Sequence, residues 1–165
     1  MTRGPRGDDS ADRIGGLYDR FAGGLYRYAL MILADRSAAG DVVHDVFVAV
    51  LRRRVDMDDP EHYLRRAVRN ECYGALRRRR RERVTRQDGP LLEVVGRVED
   101  PDLRLMLEQA IRDLPPEQRE VLHLKAFEGL TFQEVARITA ESIDTVGSRY
   151  RYALEKLRAV LGPRM

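Results

Sequence analysis

Residues 130 to 157, LTFQEVARITAESIDTVGSRYRYALEKL, constrain the fold more than any other part of the chain, because they set a short helix and a longer one on either side of a tight turn. Thr131 followed by Glu134 has the form of a capping box, in which the threonine oxygen accepts from a first-turn amide and the glutamate reaches back, so the first helix begins there. Val135, Ala136 and Ile138 give that helix an apolar face. The small residues Ala136 and Ala140 fall where a second helix crosses closely at a steep angle. Ser142 precedes a new periodic run and is the expected next N-cap. From there Val146, Tyr150, Ala153, Leu154, Leu157 and Leu161 recur at three- and four-residue steps and make a buried stripe. The opposite side carries Ile143, Asp144, Gly147, Ser148 and Arg151, with Arg149 on its flank. A face that is small and polar at its N-terminal end and basic further along suits a reader of the DNA major groove. An ordinary helical hairpin with a solvated arginine face satisfies the same periods.

The rest of the chain is also helical in pattern. Residues 1–10 read as a disordered tail. Ile14, Leu17, Tyr18, Phe21, Leu25, Tyr28, Ala29 and Ile32 predict two amphipathic helices interrupted near Gly23 and Gly24. Ser37 is the expected N-cap of a third, with Val42, Val43, Val46, Phe47, Val50 and Leu51 on its buried side and Asp41, His44 and Asp45 opposite. Val55 to Pro60 predicts a loop, and Asp58 and Asp59 beside Pro60 can start a fourth helix. Tyr63, Leu64, Ala67, Val68, Cys72, Ala75 and Leu76 form its apolar side. Between residues 62 and 86 ten arginines face two acids, a local charge of +8 against +3 for the whole chain. Such density favours phosphate binding over a merely solvated face, since each neutralised phosphate releases counterions. Residues 82–101 lose the helical period around Gly89, Pro90 and Gly96 and read as a linker. A further helix follows on Leu103, Leu107, Ala110, Ile111 and Leu114, and Pro115 and Pro116 lead into another over 117–127.

Several function classes fall away. No apolar run approaches the roughly 20 residues of a membrane span, and the N-terminus lacks an apolar signal core, so a cytoplasmic protein with no membrane insertion is expected. Cys72 is the one cysteine, which leaves no internal disulfide, and the three histidines lack metal-ligand spacing. With no P-loop, nucleophile elbow or paired ligands, no enzyme, metal or cofactor is expected.

The segment LPPEQREVLHLKAFEGLTFQ followed by EVARITAESIDTVGSRYRYALEKLR resembles region 4 of bacterial sigma-70 family factors, in particular the small extracytoplasmic-function group. The family pattern falls on Leu114, Pro115, Arg119, Val121, Leu122, Leu124, Gly129, Glu134, Val135, Ala136, Thr145, Val146, Ser148 and Arg149. Gly147 stands where a lysine is common, and Ala140 where the turn glycine is usual. AGDVVHDVFVAVL and PEHYLRRAVRNECYGALRRRRR resemble region 2 of the same group, on Asp41, Asp45, Phe47, Tyr63, Leu64, Arg69, Asn70, Arg77 and Arg78. His44 replaces the usual glutamine, Tyr63 the common tryptophan, and Gly40 the usual glutamate.

The resemblance implies an all-α chain of two small helical domains joined by a flexible linker, the C-terminal one a helix-turn-helix. Its parts would be a tail (1–10), region 2 (11–81), the linker (82–101) and region 4 (102–165). The implied function is that of a sigma factor, a specificity subunit of RNA polymerase. Asp41, His44, Asp45 and Phe47 would bind core polymerase. Tyr63, Arg65, Arg66, Arg69, Asn70, Arg77 and Arg78 would engage the melted −10 element, with the Val55–Pro60 loop as part of a pocket for an extruded base. Ile143, Asp144, Thr145, Gly147, Ser148, Arg149 and Arg151 would read the −35 duplex. An anti-sigma factor is an expected partner from the family alone. The alternative is a helix-turn-helix repressor or activator that binds an operator without being a polymerase subunit.

Overall fold

The structure, a computed structural model, describes residues 8–82, 91 and 98–162. These form seven α-helices: α1 (Asp8–Leu33), α2 (Arg36–Arg53), α3 (Pro60–Glu82), α4 (Pro101–Arg112), α5 (Pro116–Leu122), α6 (Phe132–Thr139) and α7 (Ile143–Leu161). A π-helical turn, His123–Phe127, continues α5. Helices α1, α2 and α3 pack on one another, and α4, α5 and α6 pack around α7. The two groups are not separate bodies, since α1 also packs on α5 and the π-helical turn, and α3 on α6. One apolar cluster runs from Leu30 and Leu64 in the first group to Val121, Val146 and Leu157 in the second.

The helix starts follow from their caps. Asp59 Oδ1 accepts from the His62 amide at 3.2 Å ahead of α3, and Pro60 supplies a first helical residue with its φ already set. Asp100 does the same for α4, accepting from the Asp102 and Leu103 amides at 3.0 and 3.3 Å. The predicted break at Gly23 and Gly24 is absent: α1 is one helix of 26 residues. Each glycine costs about 1 kcal/mol relative to alanine in a helix interior, and burial of Leu25 and Tyr28 just beyond them outweighs that. The N-cap of α2 is Asp35 rather than Ser37; one carboxylate oxygen accepts from the Ala38 amide at 3.0 Å and the other from Arg79 Nη2 at 2.6 Å. A carboxylate serves both partners at once, and Ser37 becomes an ordinary first-turn residue. Leu51, expected inside, is 44% exposed.

Helix α1 ends in YALMILA, and every residue from Tyr28 to Ala34 is buried. A helix apolar on all sides must be covered on all sides. Helices α2 and α3 cover one flank, and α5 the other. The last carbonyls of a helix have no partner within it. Here arginines from three other helices supply them. Arg119 Nε and Nη2 donate to Met31 O and Ile32 O at 2.7 and 2.6 Å, Arg79 to Leu33 O at 3.4 Å, and Arg112 to Ala34 O at 3.1 Å. Arg119 Nη1 also donates to Leu114 O and Arg112 O at the end of α4. Burial lowers its pKa to about 10, so it remains a cation at neutral pH.

The expected tail falls partly on residues 1–7, which lie outside the described residues, as do 83–90 and 92–97 of the expected linker. Of the linker's interior, Leu91 is fully buried in the shared core.

Candidate nucleic-acid interface

The helix-turn-helix is built as its sequence dictates. Thr131 Oγ1 accepts from the Glu134 amide at 3.1 Å and Glu134 Oε2 from the Thr131 amide at 2.7 Å, closing the capping box. Those bonds hold the Glu134 carboxyl below its ordinary pKa. Ser142 Oγ accepts from the Thr145 amide at 3.1 Å and starts α7. Between them Ala140 takes a left-handed φ of 55°. A non-glycine residue there carries about 1–2 kcal/mol of strain. Ala140 is therefore the exposed turn residue, and the small-residue crossing expected at Ala136 and Ala140 rests on buried Ala136.

On α7, Val146, Ala153, Leu157 and Leu161 face the core, with Tyr150 and Leu154 half-buried beside them. Ile143, Asp144 and Arg151 are exposed, and Thr145, Gly147, Ser148 and Arg149 are partly so. A Cβ placed on Gly147 meets nothing within 4 Å, so packing does not demand glycine there. Arg149 is held across the turn by Glu141 at 3.2 Å, and Arg151 lies over the Tyr152 ring at 5.5 Å.

The structure divides the α3 residues between two faces. Tyr63, Arg66 and Asn70 join Met57, Asp58 and Asp59 of the preceding loop around a cavity of about 450 Å³. That is the loop expected to contribute to a base pocket. Arg65 and Arg69 turn to the other half of the molecule. Arg65 pairs with Glu61 at 3.3 Å and with Glu128. Arg69 Nε meets Glu120 Oε1 at 2.6 Å and its Nη2 meets Oε2 at 3.3 Å. Arg77 and Arg78 are exposed towards the end of α3.

Glu120, which sequence reasoning missed, is fully buried and accepts four hydrogen bonds from three residues. Besides Arg69 these are the hydroxyls of Tyr28 and Tyr73, both at 2.5 Å. Desolvation and the nearby Glu120 charge raise the pKa of both tyrosines, which remain donors. Desolvation of Arg69 opposes its charge, but Glu120 more than offsets this and its pKa rises. Glu128 accepts from Arg65 and from His123 Nε2 at 3.0 Å; desolvation alone would raise its pKa, yet these partners bring it below the ordinary value. No periodicity marks such acids, because their partners other than His123 lie 47 or more residues away in sequence.

On α2 the acids stand out to solvent. Asp41, His44 and Asp45 are exposed, and exposed Leu51 lies two turns beyond His44 on the same side. Phe47 is buried, its ring edge-on to Tyr18 at 5.0 Å, so it supports the helix from within rather than presenting itself to a partner. Cys72 is buried, and burial pushes its thiol pKa up. Among the described residues no group of His, Cys, Asp and Glu has the geometry of a metal site, and no helix is long and apolar enough to cross a membrane.

Comparison with known proteins is consistent from end to end. The family model for Sigma-70 region 2 matches residues 17–82 and that for Sigma-70, region 4 matches 104–157. The chain is 28% identical over 163 residues to the ECF RNA polymerase sigma factor SigK of Mycobacterium sp. (strain KMS), covering 92% of this chain and 84% of that protein. It is 26% identical over 161 residues to the RNA polymerase sigma factor CarQ of Myxococcus xanthus, covering 94% and 92%. Its fold matches that of the sigma factor RpoE from Bartonella quintana, solved in complex with the anti-sigma factor NepR, with a TM-score of 0.69, 22% identity and coverage of 93% and 96%.

Proposed function

Because the chain belongs to the sigma-70 family, in its extracytoplasmic-function group, we propose that it binds core RNA polymerase and directs it to promoters, region 2 melting and reading the −10 element and region 4 reading the −35 element. The observation that carries this reading is the presence of both region matches, in order, on one chain. A repressor would leave the first of them without a purpose.

We assign the exposed α2 face of Asp41, His44 and Asp45 to polymerase, with Leu51 as an apolar contact beside them and Phe47 as their internal support. The cavity beside Tyr63, Arg66 and Asn70 is the candidate receptacle for a base extruded from the −10 duplex. Unstacking such a base costs a few kcal/mol, offset by stacking on an aromatic ring and by arginines that follow the strand. Arg65, Arg69, Arg77 and Arg78 would supply those cations. In region 4, Ile143, Asp144, Thr145, Gly147 and Ser148 would meet base edges or close phosphates, with Arg149 and Arg151 on bases or the flanking backbone. Two modest contacts on one tether reinforce each other by effective concentration. The domain limits 11–81 and 102–165 follow the same assignment. Acting on polymerase places the protein in the cytoplasm. An anti-sigma factor is a further partner on this reading, as the Bartonella protein was solved with one.

Run-off transcription with purified bacterial core polymerase, on the DNA upstream of this protein's own gene, tests the reading. A discrete start that appears only when both proteins are present is the expected result. No transcript, together with tight operator binding by the chain alone, would establish a repressor instead.

A further inference from the structure

We propose that the cavity between α1, the start of α3 and the π-helical turn is a binding site for a small nucleotide, its phosphate held by Arg20 and Arg27 and its base stacked on Phe127. The inference stands apart from the promoter assignments, in which none of these three residues takes part. The cavity measures about 550 Å³, and small-ligand sites commonly occupy about 300–1,000 Å³. Gly23 and Gly24 give the first reason. Both lie inside α1, where glycine weakens a helix relative to alanine, and neither has a positive φ. Packing does not demand them either. A Cβ on Gly24 would meet only the tip of Arg27, at 3.8 Å, and one on Gly23 the same guanidinium at 3.6 Å. Gly24 lines the cavity, so its missing side chain keeps that space open and lets Arg27 lie back along the helix. Arg20 stands seven residues before Arg27, almost two turns, and therefore on the same side of α1. Its guanidinium lies over the Phe21 ring at 5.0 Å. Both arginines are exposed, and among the described residues neither has an ion-pair partner.

The far wall supplies a flat apolar surface. The turn His123–Phe127 is closed by the Glu128 amide on His123 O at 3.0 Å, a π-helical geometry that recurs at functional sites. It brings the rings of His123 and Phe127 into a row with Tyr28, at centroid separations of 5.9 and 6.1 Å and interplanar angles of 28° and 24°. Phe127 ends the row and is 41% exposed. A planar ring placed on it continues the stack, and every nucleobase has such a face. The acids of the cavity are already committed, since Glu61 and Glu128 both pair with Arg65. They neither neutralise Arg20 and Arg27 nor leave Arg65 to a ligand, so the anion-binding end of the cavity is the α1 side. A phosphate monoester carries about −1.5 to −2 charges at pH 7. Two unpaired guanidinium groups answer it through charge-assisted bonds, whereas a carboxylate satisfies only one of them. Phosphate at one end and a flat ring at the other describe a nucleotide.

Isothermal titration of the full chain with adenosine monophosphate tests the site. Binding with a Kd of about 1 mM or tighter is expected, with adenosine, which lacks the phosphate, and inorganic phosphate, which lacks the ring, each weaker by at least about tenfold. Bound nucleotide should also raise the melting temperature by mass action. Arg20→Gln combined with Arg27→Gln should bring nucleotide affinity down to that of adenosine, and Phe127→Ala down to that of inorganic phosphate. Gly24→Leu puts a better helix former into α1 and fills the cavity, so the free chain should melt no earlier while nucleotide binding is lost. Absence of both binding heat and a rise in melting temperature overturns the proposal, and so does binding that survives in Gly24→Leu. If Gly24→Leu melts early, the arginine and Phe127 variants decide, and undiminished affinity in them overturns it. Equal affinity for inorganic phosphate leaves only an anion contact and removes the nucleotide. Single-stranded oligonucleotide binding that Gly24→Leu abolishes, with no binding of the free nucleotide, gives the cavity to a nucleic-acid strand and also overturns the proposal.

Discussion

Replacing Arg119 by methionine keeps the length of the side chain and removes every donor. Arg119 is 6% exposed and makes four hydrogen bonds to main-chain carbonyls, two at the end of α1 and two at the end of α4. A hydrogen bond to a charged group contributes about 1.5–3 kcal/mol, so the four together are worth at least about 6 kcal/mol. Against this stands the desolvation that lowers the arginine pKa to about 10, a penalty of about 3 kcal/mol that the methionine escapes. The net loss is about 3 kcal/mol or somewhat more, in line with the cost of breaking a buried charged contact. For a chain of this size each kcal/mol moves the melting temperature by roughly 2–4 °C. Calorimetry or a circular-dichroism melt should therefore show a fall of about 6–12 °C. Arg119→Lys should recover only part of it, since one ammonium cannot span carbonyls from two helices. A methionine variant melting within about 2 °C of the parent would refute the reasoning, because the α1 carbonyls would then have other partners of equal worth.

Arg149→Ala should weaken holoenzyme binding to a −35-containing promoter by about 1–3 kcal/mol, measured by a mobility-shift titration; unchanged affinity removes Arg149 from the interface. Asp45→Arg reverses the charge of the exposed α2 face and should abolish capture by core polymerase in a pull-down. Ala140→Gly relieves a left-handed alanine and should raise stability by about 1 kcal/mol, seen as a small increase in melting temperature with the turn unchanged. The Glu128 carboxyl is held below its ordinary pKa, so its contribution is fully present above the unfolded carboxylate value of about 4.3 and fades as pH falls through the lower folded value. Melts between pH 7 and pH 3 should show that acid-dependent component shrinking in Glu128→Gln.

The local rules of the chain are legible without its structure. Thr131 with Glu134, and Ser142 before Ile143, mark helix starts because their partners lie within three residues, and the stripe Val146, Ala153, Leu157 and Leu161 needs only the helical period. Residue types in that order also determined the family resemblance. Where two local signals competed, the sequence was ambiguous. Ser37 and Asp35 are both good caps, and the choice went to Asp35 because Arg79, 44 residues away, binds its second oxygen. Gly23 and Gly24 carry a break signal that burial further along α1 overrides. The run YALMILA held an unread message: seven apolar residues in succession exceed what one helix face buries, and so announce cover from a second side.

Only the tertiary structure could say what provides that cover. The end of α1 has no basic residue of its own in its last turn, and Arg79, Arg112 and Arg119 arrive from three other helices. Arg65 and Arg69 look like free cations in a basic run until Glu120 and Glu128 meet them from the far half of the chain. Periodicity and capping act within a few residues, so the sequence determined the helices, their faces and the identity of the reading head. Ion pairing across 51 and 63 residues depends on how the helices close on one another, and that closure decided that Arg65 and Arg69 are paired with acids of the far half.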